Sequence, residues 1–192
     1  MANKVKYGLS NVYYAIATID DSAHTATYAT PKAFPGAVSM SLDSQGELTP
    51  FRADNIDYWV GNSNNGYQGD LEMALITDDF RKDILGQIVD ASGMIVELKD
   101  VEAIHFALLF QFEGDESATR HVLYNCTASR PSAAGQTTTE TIEPQTETTQ
   151  ITASSIFNSS LEAEVVKASA KKTDSTYDTF FDAVAQPTAE SE

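Results

Sequence analysis

The chain has 192 residues with 12 Lys and Arg against 28 Asp and Glu, so its formal net charge is −16. Its 42% of hydrophobic residues is enough to bury a core, which excludes a chain that is disordered throughout. The acidic balance argues against a protein that grips nucleic acid or an anionic membrane surface, because both need cationic side chains.

The N-terminal part of the chain predicts a polar arm and three strands. Residues 1–10 are short and polar, and we expect an N-terminal arm. Apolar residues with period two predict a first strand at residues 12–17. The threonine-rich residues 25–30 predict a second strand, and alternation with serine at residues 38–42 predicts a third with one wet face.

A long excursion follows at residues 45–66, with no sustained periodicity. It contains the large side chains Phe51, Tyr58 and Trp59. It ends at Asn65-Gly66, a dipeptide that predicts a tight hairpin turn. We therefore expect a long hairpin loop that is part strand and part loop.

A strand at residues 67–75 and the clearest helix of the chain, at residues 77–90, come next. Thr77 can cap the helix, and two aspartates in its first turn favour the positive end of the helix dipole. Phe80, Ile84 and Ile88 fall on one stripe, and Gly86 marks a point where the helix can stop. Residues 94–98 predict a short strand.

The centre of the fold is predicted to be an antiparallel hairpin. Phe106, Leu108 and Phe110 alternate with other apolar residues, so both faces of this strand are expected to be buried. A polar break at residues 113–117 leads to a second strand at residues 121–126. Strict alternation there places Cys126 on the same face as Val122 and Tyr124.

The C-terminal part predicts strands at residues 148–154 and 162–168 after a polar connection at 129–146. Tyr177, Phe180, Phe181 and Val184 then recur at helical spacing, which predicts an amphipathic helix ended by Pro187. This helix could dock on its own core or on a neighbouring subunit.

No residue pattern predicts catalysis, a metal site or a cofactor. His24, His105 and His121 lie in three different elements, and the chain has one cysteine, Cys126, which is expected to be a small core residue. The pairs Asp20-Asp21 and Asp78-Asp79 are typical of a turn and a helix start. No signal peptide and no run of about 20 apolar residues is present, so we expect a soluble protein of a reducing cytoplasm.

Several longer segments resemble the major tail protein of long-tailed, non-contractile bacteriophages of Gram-positive bacteria. The resemblance runs from about Asn3 to about Pro187 and depends on the number and order of the segments. These are TPFRADNIDYW at 49–59, NNGYQGDLEMALI at 64–76, FRKDILG at 80–86, FALLFQFEGD at 106–115, TRHVLYNCTASRP at 119–131 and IEPQTETTQITAS at 142–154.

The resemblance implies one tail-tube domain over residues 1–192, an antiparallel β-sandwich flanked by an α-helix. It implies a structural subunit of the virion that is made in the host cytoplasm. Six copies form a ring, rings stack around a tape-measure protein, and DNA passes through the lumen. Tail terminator and distal tail or baseplate proteins are the implied further partners, with no cofactor and no membrane.

The resemblance also implies contacts between subunits. Phe51, Tyr58 and Trp59 on the long loop are expected to reach the next ring, although they could instead pack on their own sandwich. The terminal segments, including residues 173–192 with Tyr177, Phe180 and Phe181, are expected to clamp neighbours, although they could be frayed ends.

Two other functions remain open from the sequence. A tube subunit of a contractile injection or type VI secretion machine would share the fold. A stand-alone β-sandwich binding module would need a concave pocket and no self-stacking.

Overall fold

The fold is an antiparallel β-structure, and the part of the chain that the structure describes has one short helix. The computed structural model describes residues 7–114, 118–133, 135–137 and 144–189. Its strands are β1 (Leu9–Asp20), β2 (Thr25–Tyr28), β3 (Lys32–Ala33), β4 (Ala37–Ser44), β5 (Leu48–Ala53), β6 (Ile56–Asn62), β7 (Tyr67–Met73), β8 (Ile88–Val89), β9 (Ile95–Val96), β10 (Phe106–Phe112), β11 (Arg120–Ala128), β12 (Glu147–Ser154), β13 (Ile156–Asn158), β14 (Ala163–Val165) and β15 (Lys167–Ala170). The helix α1 spans Asp78–Asp83. The predicted mainly antiparallel β-fold with a flanking helix is confirmed.

The main sheet runs in the order β2-β1-β10-β11-β12-β7-β4, with β3 beside β1 and β15 beside β11. The predicted central hairpin is its middle, since β10 pairs antiparallel with β11. Strand β11 has two further partners in succession: residues 120–123 pair with β15 and residues 125–128 pair with β12. The sheet therefore branches at β11, and the two branches contribute to different cores.

Both faces of the central hairpin are buried, as its sequence predicts. Phe106, Leu108 and Phe110 pack in a first core with side chains of β1, β7, β12 and α1. Leu109 and Ala107 pack in a second core with side chains of β11, β13, β15 and the C-terminal segment. Burying a large apolar side chain contributes about 1.5–3 kcal/mol, so these two layers explain why this hairpin organises the fold.

A bulge in β11 corrects the predicted position of Cys126. Leu108 pairs with Leu123, and Phe106 pairs with Cys126, so two steps along β10 face three along β11. The extra residue reverses the alternation of side chains. Cys126 therefore packs with Leu123 in the first core, and not with Val122 and Tyr124.

Helix α1 begins where the sequence predicts and ends earlier. The Thr77 hydroxyl accepts a hydrogen bond from the Phe80 amide at 3.3 Å, which caps the first turn. The helix stops at Asp83, and Gly86 adopts a φ of 64° that only glycine takes up readily. Ile88 then pairs with Val96 in a two-stranded ribbon. The prediction of a helix to residue 90 is therefore wrong, and Ile88 is 49% exposed.

The predicted C-terminal helix at residues 175–184 is also wrong. The amide of Tyr177 donates to the carbonyl of Asp174, and the amide of Phe180 donates to the carbonyl of Tyr177. These are successive three-residue-spaced turns and not α-helical turns. The segment is rich in Ser, Thr and Asp, whose side chains compete for backbone hydrogen bonds and favour turns.

The predicted N-terminal arm at residues 1–10 is shorter than expected. Strand β1 starts at Leu9, and the carbonyl of Gly8 accepts a hydrogen bond from the Glu113 amide at 2.9 Å. Residues 7–10 therefore belong to the sheet or its edge. Residues 1–6 lie outside the described part of the chain.

Candidate assembly surface

The long excursion at residues 45–66 is a two-stranded hairpin that stands apart from the main sheet. Strands β5 and β6 pair only with each other in the described structure. The hairpin starts between β4 and β7, whose ends Ser44 and Tyr67 are paired. At its base the Gln45 amide donates to the Gly66 carbonyl at 2.8 Å, and the Asn65 amide donates to the Gln45 carbonyl at 2.8 Å.

The turn of this hairpin lies at Asp54-Asn55, not at Asn65-Gly66. Asp54 and Asn55 have φ values of 51° and 65°, the two positive values that a type I′ turn requires. Gly66 has another role, because a Cβ atom there would lie 1.9 Å from the Ala153 carbonyl oxygen of β12. The predicted turn at Asn65-Gly66 is therefore corrected to a close approach between strands.

The hairpin buries very little of itself on its own chain. Every residue from Leu48 to Val60 except Ala53 is exposed. Phe51 is 60%, Tyr58 70% and Trp59 61% exposed, so these side chains do not tuck onto the sandwich. Large apolar side chains clustered in the open mark interaction sites.

Both faces of the hairpin are apolar. Phe51 and Trp59 are paired across the strands and so share one face, and the Trp59 ring lies over Gly61. The paired residues Pro50 and Val60 share the opposite face. Three further exposed apolar residues were not predicted from the sequence: Leu48, Ile56 and Val60. The concentration of large apolar residues between positions 48 and 60, without a period that would bury them, could have indicated them.

Tyr58 occupies a bulge in the hairpin. Phe51 pairs with Trp59 and Arg52 pairs with Asp57, which leaves Tyr58 as the extra residue of β6. The ion pair between Arg52 Nε and Asp57 Oδ1, at 2.7 Å, closes the ladder beyond the bulge. A bulge re-aims side chains, so it can present Tyr58 and Trp59 together.

The C-terminal aromatic residues contact their own chain. Tyr177 and Phe180 are buried, and Phe181 stacks on Tyr13 with ring centroids 4.8 Å apart. The guanidinium of Arg120 lies over the Tyr177 ring at 3.8 Å and donates to the Tyr177 carbonyl oxygen. The structure therefore packs these side chains within the chain, and their contact with a neighbouring subunit stays a prediction.

The titratable residues that could carry chemistry are engaged in structural roles. His24 Nδ1 lies 2.9 Å from a Glu164 oxygen, and His105 Nδ1 lies 2.6 Å from the Asn125 oxygen. Burial raises the pKa of the Cys126 thiol to about 12, so it is not an activated nucleophile. Among the described residues, no group of three or more His, Cys, Asp or Glu could hold a metal ion.

The aspartate pairs also have the structural roles that the sequence predicts. The Asp20 carboxylate accepts hydrogen bonds from the Ser22 hydroxyl and amide, and these hold its pKa below the usual range. Asp78 and Asp79 form the first turn of α1. No helix in the described part of the chain is long and apolar enough to cross a membrane.

Comparison with known proteins assigns a family to almost the whole chain. The family model described as "Phage tail tube protein" matches residues 2–189 of this chain. No curated protein matches it. Because the family model covers almost the whole sequence, the chain belongs to the phage tail tube protein family.

Proposed function

We propose that this protein is the major subunit of a phage tail tube, and that it assembles into stacked hexameric rings through which DNA leaves the virion. Family membership supports a structural tail tube subunit that assembles with itself and with other tail proteins. The tape-measure protein inside the lumen, the tail terminator and the distal tail or baseplate proteins are the further partners that we propose. Assembly starts from subunits folded in the host cytoplasm.

The observation that supports stacking of rings is the exposed β5–β6 hairpin. Its six exposed apolar side chains are each more than half exposed: Leu48, Phe51, Ile56, Tyr58, Trp59 and Val60. Covering roughly 100 Å² on each would bury about 600 Å², most of the ~800 Å² that one partner contributes to a standard interface. A neighbouring ring is the partner that fits a tube subunit.

The charge of the chain fits the passage of DNA. A net charge of −16 on each subunit gives no general affinity for phosphates. A conduit must not hold its cargo, since each neutralised phosphate adds affinity and slows transit. DNA therefore passes through this tube without specific binding.

The test replaces residues 45–66 with Asn-Gly. Ser44 and Tyr67 are directly paired, so a two-residue turn can join β4 and β7. We expect a folded subunit that forms single rings or monomers under conditions in which the unaltered protein forms tubes in negative-stain electron microscopy. Class averages of the rings give the subunit number. Absence of rings and tubes from the unaltered protein at high concentration would contradict the proposed function.

A further inference from the structure

A second set of exposed apolar residues flanks helix α1 in the sequence, with one residue before it and three after it. It comprises Leu75, Ile88, Val89 and Met94, which are 64%, 49%, 51% and 62% exposed. We call these four residues the far-end patch. Three of them belong to the β8–β9 ribbon or its turn, where the Asp90 amide donates to the Met94 carbonyl at 2.9 Å.

The far-end patch and the hairpin lie at opposite ends of the β4–β7 pair. The hairpin leaves this pair where Ser44 faces Tyr67, and the other end is marked by the pairing of Ala37 with Met73. Leu75 follows Met73 by two residues. The seven residues of β7 span about 20 Å at 3.2–3.4 Å per residue.

Ion pairs and hydrogen bonds hold the rest of the patch at this same end. Glu147 pairs with Met73 in the sheet, and its carboxylate binds Arg81 of α1 at 2.8 Å. After α1, the Gln87 side chain contacts Glu97 at 3.4 Å, and Glu97 binds Arg130 at 2.7 Å. The ribbon is therefore attached to the end of the sandwich that carries α1.

Within one copy of the chain, the hairpin cannot cover the far-end patch, because the two lie about 20 Å apart at opposite ends of β7. Two different patches at opposite ends of a subunit form a heterologous contact, in which each copy offers its hairpin and accepts the hairpin of another. Such a contact repeats along an axis. A hairpin-to-hairpin contact would close at a dimer and leave the far-end patch exposed.

The side chains of the two surfaces also suit each other. Both are apolar, and an ion pair lies beside each: Arg52 with Asp57 on the hairpin, and Glu97 with Arg130 beside the ribbon. Joining the surfaces therefore leaves these ion pairs intact. Met94 is flexible and polarisable, and thioethers make favourable contacts with aromatic rings such as Phe51 and Trp59.

We propose that the far-end patch is the docking site for the β5–β6 hairpin of a second copy of this chain. The inference rests on the proposed function, because it names the acceptor surface that stacking of the subunits requires. It assigns Leu75, Ile88, Val89 and Met94 to the interface between successive copies.

Cross-linking of assembled protein tests this contact. Thr49 and Ala91 are exposed, lie in the hairpin and in the ribbon turn, and leave every apolar residue of both surfaces unchanged when replaced. The double variant Thr49→Cys with Ala91→Cys is assembled and treated with a short bismaleimide. We expect a ladder of trimers and larger species on a denaturing gel, because each copy links to two others. Cys126 is buried and adds no background.

The controls separate this inference from the proposed function. Each single variant should give dimers at most, and Thr49→Cys paired with Ser159→Cys, an exposed site outside both surfaces, should give no ladder. Tubes without a ladder from the main pair, or an equal ladder from the control pair, would overturn the docking site and leave the tube function standing. Failure of the unaltered protein to form rings or tubes would overturn both.

A charge placed in the patch gives a second readout. Val89→Glu should leave the melting temperature of the subunit within about 2 °C, since the side chain is on the surface. It should abolish tubes, because stacking would bury a carboxylate without a partner. Tubes of normal length from Val89→Glu would overturn the assignment.

Discussion

Two phenylalanines of this chain should separate assembly from folding when each is replaced by alanine. Phe80 is 0% exposed, stacks on Phe34 with centroids 4.3 Å apart and contacts Tyr14 and Phe106 edge-on. Phe51 is 60% exposed on the hairpin. The same substitution therefore removes a core side chain at one site and a surface side chain at the other.

The expected magnitudes follow from these exposures. Phe80→Ala should lower the free energy of unfolding by about 3–5 kcal/mol, the usual cost of truncating a buried phenylalanine. Phe51→Ala should change it by less than about 0.5 kcal/mol. For assembly we expect the opposite, with the larger effect at Phe51. Its exposed area is six tenths of about 200 Å², or about 120 Å². Covering this area at ~25 cal/mol per Å² contributes about 3 kcal/mol to the contact between subunits.

Two assays measure these quantities on the same preparations. Urea unfolding of the dissociated subunit gives the stability of each variant. Sedimentation gives the lowest concentration at which tubes form, and 3 kcal/mol per contact should raise it about 100-fold for Phe51→Ala. Unchanged assembly of Phe51→Ala, or a loss above 2 kcal/mol in its subunit stability, would refute the assignment of the hairpin as an interface element.

Three further predictions concern the C-terminal segment, alkaline pH and the lumen. Arg120→Ala should increase proteolysis of the chain after Tyr177, because the guanidinium stacks on that ring. Arg120→Lys should restore only part of the protection. Equal digestion of the unaltered protein and both variants would contradict this role. Burial raises the pKa of Tyr14, Tyr28 and Tyr124 above the ordinary value of 10.0, so at alkaline pH the folded state holds protons that the unfolded state releases. The contribution of these tyrosines to stability should therefore be constant below about pH 10 and then fall by up to about 1.4 kcal/mol per pH unit for each tyrosine. Urea unfolding at pH 8 and 11 measures the fall, and Tyr124→Phe should reduce it; an equal fall in the unaltered protein and in Tyr124→Phe would contradict the assignment. Acids should outnumber Lys and Arg on the strands that line the lumen of an assembled tube, so a reconstruction with a net positive lumen would rule out passage of DNA by even repulsion.

Much of the central fold could be predicted because it depends on local patterns of apolar residues. Alternation on both faces of β10 is enough to place it inside a sheet, since no other arrangement buries both sets of side chains. The start of α1 is equally local, because the Thr77 cap and the following aspartates act within one turn. The lack of a sustained period at residues 45–66 is also local and predicts a long excursion, whereas the exposure of its aromatic residues was implied only by the resemblance.

The errors occurred where two local preferences compete and contacts distant in sequence decide between them. The segment around Tyr177 and Phe180 has helical spacing, yet its Ser, Thr and Asp residues favour turns, and burial against Arg120 and Tyr13 selects the turns. At Ile88 the apolar stripe continues, but the glycine at 86 ends the helix and β9 offers a strand partner.

The candidate assembly surfaces show the same division between sequence and structure. The sequence determined that this chain is acidic, is β-rich and carries aromatic residues on a long excursion between residues 45 and 66, because composition and short-range pattern suffice for each. Only the tertiary structure decided that both faces of the hairpin are open, that Cys126 crosses to the first core, and that a second apolar patch lies at the opposite end of the β4–β7 pair. Strand register, bulges and the placement of distant segments determine these features, and they depend on pairings between residues far apart in the chain.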